Sequence, residues 1–246
     1  LDDLAQYDLL SGSTKANVLA RLVPCRTMEE ALEGAVYAQE STAERREDKI
    51  AVFRAMGNAA SPEAILASST SAILPSSFTG ECTGRERTIV VHPINPPFLV
   101  PACEVVPAPW TSQKTIDATM ELVRSIGQVP IRMNREVDGF LMNRLQAALL
   151  NEAFRLVNEG YATAEDVDAG IRDGLALRWA FMGPYETIDL NAPAGVRDYV
   201  ERYSATLVKI ASNMTGPVTL TPDELAEVER DLRARHPHVP LPSEQG

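Results

Sequence analysis

Residues 35–68, AVYAQESTAERREDKIAVFRAMGNAASPEAILAS, decide the fold of this chain. The runs 35–39 and 64–68 are short and apolar, as strands are. Between them, residues 43–60 place Ile50, Phe53 and Met56 at helical spacing. A strand, a helix and a strand in succession is the repeating unit of a parallel sheet covered on both faces. The pattern continues outward in both directions. Upstream, VLARL (18–22) reads as a strand, and Thr27 with Glu30 forms a capping box at the head of a helix beginning at Met28. Downstream, IVV (89–91) reads as a strand and EVVPAP (104–109) as a further edge strand that ends at prolines. Residues 118–127 read as a helix closed by Gly127, and VPIRM (129–133) as the last strand.

The pattern changes at Asp138-Gly139. From there residues 139–160 read as one long helix ending at Gly160. Thr163 caps the next helix, with Asp166 in its first turn, and a third runs over 196–214. The expected organisation is therefore an α/β domain over 1–136 followed by an all-α domain over 137–246. The last residues, 236–246, are Pro-rich and read as an unpacked extension. The chain starts without an initiator Met, inside an amphipathic helical stretch, and so reads as a fragment or a processed product.

Composition narrows the function. Of 246 residues, 45% are hydrophobic and 23% charged, as in a soluble globular protein. No apolar run approaches the ~20 residues of a membrane span, and the acidic start LDDLAQYDLL is no signal peptide. A net charge of −11 offers no basic stripe to nucleic acid. Cys25, Cys82 and Cys103 are odd in number and widely spaced. They suit neither a disulfide framework nor a metal site, and point to a reducing, cytoplasmic setting.

Ser-Ser-Thr-Ser (68–71) follows one expected strand and His92 follows another. Ligands of open α/β sheets bind outside the carboxyl ends of the strands, so a hydroxyl and an imidazole are presented to one crevice. Glu104 comes after a turn containing Pro93, Pro96, Pro97 and Pro101. A carboxylate returning to a histidine fixes its tautomer and stabilises its protonated form, which is how a histidine general base is arranged. Singly, each residue has a plainer reading: a loop histidine, turn hydroxyls, a solvated glutamate, and a capping asparagine at Asn143.

The joint order of SSTS, HPINP, Glu104 and GFLMNRL resembles the 3-hydroxyacyl-CoA dehydrogenase family. The likeness is closest to its lambda-crystallin, or L-gulonate 3-dehydrogenase, branch, through HPINPPFLVP, EVVP, GFLMNRLQ and AFMGPYETIDLNA, and runs over about residues 18–214. The resemblance implies a Rossmann-like domain, NAD as cofactor, a small-molecule hydroxy acid or 3-hydroxyacyl-CoA as substrate, and a homodimer. It casts His92 as general base, Glu104 as its partner, and Ser71 and Asn143 as donors to the substrate oxygen. Glu44 and Lys49 fall where the family contacts the ribose–nicotinamide side of NAD, beside Ser71, and Asn95 shapes the nicotinamide pocket. Ala102-Cys103 stands where acyl-CoA enzymes place a lysine, which favours a smaller hydroxy acid. Phe140, Leu141, Leu145, Leu149, Phe154 and Leu156 lie on more than one face of the 139–160 helix, as a dimer would need.

One family feature is missing. The chain contains no G-x-G, the turn that places backbone N–H groups against a pyrophosphate. The expectation is an N-terminally truncated domain with an unpaired sheet edge, binding NAD at least ~10²-fold more weakly than a complete relative. The alternative is a non-enzymatic, crystallin-like relative that does not bind NAD.

Overall fold

The computed structural model describes residues 1–214, 216–218 and 221–235. The chain divides into two compact units, Leu1–Leu145 and Gln146–Gly246.

The first unit opens with three short helices, α1 (Asp2–Gln6), α2 (Lys15–Leu19) and α3 (Met28–Leu32). There follow β1 (Tyr37–Glu40), α4 (Arg46–Ala59), β2 (Ile65–Ser68), α5 (Ser76–Thr79), β3 (Thr88–Pro93), β4 (Ala102–Pro107), α6 (Gln113–Ser125) and β5 (Val129–Arg132). The strands form one sheet in the order β1-β2-β3-β4-β5. It is parallel except between β3 and β4, which the Pro-rich segment 93–101 folds back on each other. Alternation along the strands sends Leu66, Val90 and Val106 to one face and Ala67, Ile89, Val91, Cys103 and Val105 to the other. The first face is covered by Phe53 and Met56 of α4 with Phe78 of α5, the two phenyl rings meeting edge to face at 5.0 Å. The second is covered by Ile116 and Val123 of α6. Each fully buried residue of this size contributes about 1.5–3 kcal/mol by leaving water.

Three expectations need correction. VLARL is not a strand. Thr14 accepts a hydrogen bond from the Asn17 amide and caps α2, which draws Val18 and Leu19 into a helical turn. The strand expected at 104–109 begins at Ala102 and lies inside the sheet, because β5 pairs along its outer side. The sheet is not wholly parallel, for the reason given. The cap at Thr27 forms as expected, although Glu30 reaches back to the Arg26 amide rather than to Thr27 itself.

The long helix α7 begins at Met142, three residues later than expected, and ends at Asn158. Gly139 and Phe140 both adopt left-handed backbone (φ 74° and 48°), which a helix cannot include. The regular elements among the described residues of the second unit are all helices. α8 (Ala164–Ala169) continues through a π-helical turn, Gly170–Leu175, into α9 (Ala176–Trp179). Then come α10 (Pro184–Leu190), α11 (Gly195–Asn213) and α12 (Pro222–Arg235). Thr163 and Asp166 form a reciprocal capping box at the head of α8. The Pro-rich tail, 236–246, lies outside the described residues.

Candidate active site

Antiparallel pairing sets His92 of β3 directly opposite Glu104 of β4. Residues opposite each other in such a ladder present side chains to the same face. His92 Nδ1 therefore lies 2.7 Å from Glu104 Oε2, with both residues buried. The other carboxylate oxygen, Oε1, accepts the amides of Leu141 (2.8 Å) and Met142 (2.9 Å) where α7 begins. Burial alone would raise the pKa of Glu104. The hydrogen bonds from His92, Met142 and Leu141 outweigh it and hold the carboxyl below the ordinary carboxylate range. An ionised Glu104 in turn orients His92, leaving Nε2 as the ring nitrogen to meet a substrate. The Phe140 ring lies 5.9 Å from the imidazole and is fully buried.

Ser71 lies just past the carboxyl end of β2, on an exposed loop. Its carbonyl accepts a hydrogen bond from Asn143 Nδ2 at 2.8 Å. Three consecutive residues, Leu141, Met142 and Asn143, thus bind Glu104 on one side and the Ser71 loop on the other. Asn95 is exposed, in the turn after β3, and precedes a cis proline.

Glu44 and Lys49 are placed differently from one another. Glu44 Oε1 accepts hydrogen bonds from the Thr70 hydroxyl and from the amides of Ser71 and Ala72 (both 3.2 Å). These and the nearby ammonium overcome the effect of burial and lower its pKa. Lys49 is buried, with its ammonium 3.1 Å from Glu40 and 3.4 Å from Glu44. Glu40 was not singled out from the sequence. A carboxylate closing a strand at its carboxyl end was the available signal. Phe140 and Leu141, expected on the faces of the long helix, lie before α7 instead, and Phe140 is fully buried beside His92 because its left-handed backbone keeps it out of the helix.

The carboxyl ends of β1 and β2 bring Glu44 and the Ser71 loop together, and the His92–Glu104 pair lies on the adjacent strands β3 and β4. The glycine turn for a pyrophosphate is absent from the sequence. The fold and site define an α/β dinucleotide-binding domain joined to a helical domain, with a histidine–carboxylate pair at the strand ends.

Comparison with known proteins agrees. Residues 1–137 match the 3-hydroxyacyl-CoA dehydrogenase NAD binding domain, and residues 139–216 match the C-terminal domain of the same family. The chain belongs to the 3-hydroxyacyl-CoA dehydrogenase family, whose cofactor is NAD. It is 38% identical over 242 residues to the lambda-crystallin homolog of Rattus norvegicus, covering 98% of this chain and 75% of that protein. It is 40% identical over 188 residues to the L-carnitine dehydrogenase of Pseudomonas putida, covering 76% of this chain and 59% of that one. Among solved structures, 3-hydroxybutyryl-CoA dehydrogenase from Escherichia coli K12 superposes with a TM-score of 0.65 at 31% identity, over 77% of this chain and 39% of that one. Among the described residues no helix is long and apolar enough to cross a membrane.

Proposed function

We propose that the chain carries the catalytic groups of an NAD-dependent dehydrogenase acting on the 3-hydroxyl of a small hydroxy acid. The observation that carries this reading is the buried 2.7 Å contact between His92 and an ionised Glu104. In the oxidising direction His92 Nε2 takes the hydroxyl proton, and the imidazolium formed is balanced by the Glu104 carboxylate. Ser71 and Asn143 donate to the oxygen as negative charge develops on it. NAD, when bound, supplies the hydride acceptor. Glu44, with Lys49 behind it, and Ser71 would hold the ribose–nicotinamide side of NAD, and Asn95 would shape the nicotinamide pocket. Ala102-Cys103, in place of the lysine common in acyl-CoA enzymes, supports a free acid over a CoA thioester.

In this reading residues 1–136 serve as the dinucleotide domain and residues 137–246 as the substrate and dimerisation domain. A homodimer through the helical part is supported by its exposed apolar residues. α7 and α11 bury none of their residues, while Phe181 and Tyr185 are 82% and 80% exposed.

The test is NADH formation with L-gulonate, L-carnitine and 3-hydroxybutyryl-CoA as alternative substrates. A free hydroxy acid is expected to have the highest kcat/KM. A CoA thioester turned over tenfold better would overturn the substrate assignment. No turnover of any hydroxy acid or thioester, with the fold intact, would favour the non-enzymatic alternative.

A further inference from the structure

We propose that Glu40 is a positioning residue: from the buried end of a carboxylate–ammonium–carboxylate chain, Glu40–Lys49–Glu44, it holds the loop that carries Ser71. The effect on catalysis rests on the dehydrogenase reading above; the effect on the loop does not.

Glu40 ends β1 and is buried. Its side chain is saturated. Oε1 accepts from the Thr42 amide (2.5 Å), the Thr42 hydroxyl (2.6 Å) and Lys49 (3.1 Å), and Oε2 from the Ser68 hydroxyl (2.5 Å) and Lys49 (3.2 Å). Its main-chain carbonyl accepts the Ser69 amide (2.9 Å) and the Ser69 hydroxyl (3.1 Å). Lys49 passes the hold onward to Glu44, 3.4 Å away. Glu44 binds the Thr70 hydroxyl and the amides of Ser71 and Ala72. Every residue from Ser68 to Ala72 is therefore held from the side of β1, either by Glu40 itself or through Lys49 and Glu44. Asn143 then hangs on the Ser71 carbonyl.

The energetics indicate what this arrangement is for. Lys49 lies on the α4 stripe that includes Phe53 and Met56, where an aliphatic side chain would pack against the core. Burying an ammonium there costs several kcal/mol before its partners offset it, and a hydrophobic replacement of a buried ion pair is often as stable or more so. Stability is thus a poor reason for the trio. What charged groups provide and apolar ones do not is direction: bonds at fixed angles to named atoms of the loop.

The experiment compares Glu40→Gln with the wild-type full chain by hydrogen exchange and steady-state kinetics. The Ser71 and Ala72 amides are expected to exchange at least ~10-fold faster, while the Leu141 and Met142 amides, bonded to Glu104, and the β3–β4 ladder keep their rates. With hydroxy acid and NAD, kcat is expected to fall at least ~10-fold with KM for the acid changed less than ~3-fold. Lys49→Met is expected to give the same pattern. Should Glu40→Gln not fold, the Glu40→Leu/Lys49→Met double variant removes both buried charges and carries the same measurement. Acceleration spread evenly over the unit in proportion to lost stability, or unchanged exchange at Ser71 and Ala72, would overturn the proposal. If the wild type oxidises no hydroxy acid, the dehydrogenase reading fails and the exchange data alone decide the role of Glu40.

Discussion

His92 and Glu104 acquire their properties from their partners. With Glu104 ionised and hydrogen-bonded to Nδ1, the His92 ring is held in one orientation, so its removal should be felt in chemistry more than in binding. His92→Ala is expected to lower kcat at least ~10²-fold in steady-state oxidation of the hydroxy acid; a near-normal rate would remove His92 from the mechanism. Glu104 has a folded-state pKa below its ordinary value of 4.5. Its contribution to stability is thus fully present above about pH 4.5 and is lost as pH falls through the lowered folded value. Glu40 and Glu44 are shifted in the same direction. Urea denaturation of the wild type should weaken steeply on acidification below that point. Glu104→Gln should flatten the slope by up to about 1.4 kcal/mol per pH unit, and an unchanged slope would contradict the hydrogen bonding described. Cys103 differs again: burial first, then the neighbouring Glu104, pushes its thiol up to about 11. It should resist iodoacetamide at neutral pH while the exposed Cys25 is alkylated, as peptide mapping after a timed pulse would report.

Among the elements, the start of α7 does the most for the site. Gly139 and Phe140 turn the chain through the left-handed region, costing about 1–2 kcal/mol at Phe140. The amides of Leu141 and Met142 then converge on Glu104 Oε1. Paired backbone N–H groups at a helix start form a small anion-binding concavity, here filled by the protein's own carboxylate. Met142→Pro tests this with little other damage, since proline is accepted at the first helical position and lacks only the N–H. The variant is expected to fold, to lose about 1.5–3 kcal/mol in urea denaturation, and to show a kcat deficit with an acid limb shifted to higher pH. Retention of full stability and of the wild-type pH profile would mean that the second amide is dispensable.

At the scale of the whole molecule, the two units differ in how well each covers its own apolar surface. The sheet unit buries Phe53, Leu66, Ile89, Val90, Val105 and Val106 completely. The helical residues leave Phe181, Tyr185, Leu190 and Val208 largely exposed, an area that a second copy of the chain would remove from water. Sedimentation at micromolar concentration is expected to give a dimer, and Phe181→Glu/Tyr185→Glu to shift it toward monomer. A wild-type monomer at that concentration would end the dimer proposal.

Much of this was legible in the residues themselves. The strand–helix–strand rhythm of 35–68 and the caps at Thr27 and Thr163 are local: each follows from side-chain periodicity or from a hydroxyl three residues before the amide it binds. His92, Glu104, Ser71 and Asn143 were singled out through the family resemblance that their joint order carries. Pairing was not legible. VLARL is apolar enough for a strand, yet a nearby threonine caps it into a helical turn, and no local signal says that β4 runs antiparallel to β3 and lies inside the sheet. The places of Glu40 and Phe140 were hidden for the same reason. A glutamate that closes a strand is ordinary until a lysine nine residues later folds onto it, and nothing in the residue type of a phenylalanine announces the left-handed backbone that Phe140 adopts. Sequence alone determined which groups this protein has. Only the tertiary structure decided which of them share a hydrogen bond, because that depends on register and burial set by contacts between residues distant in the chain.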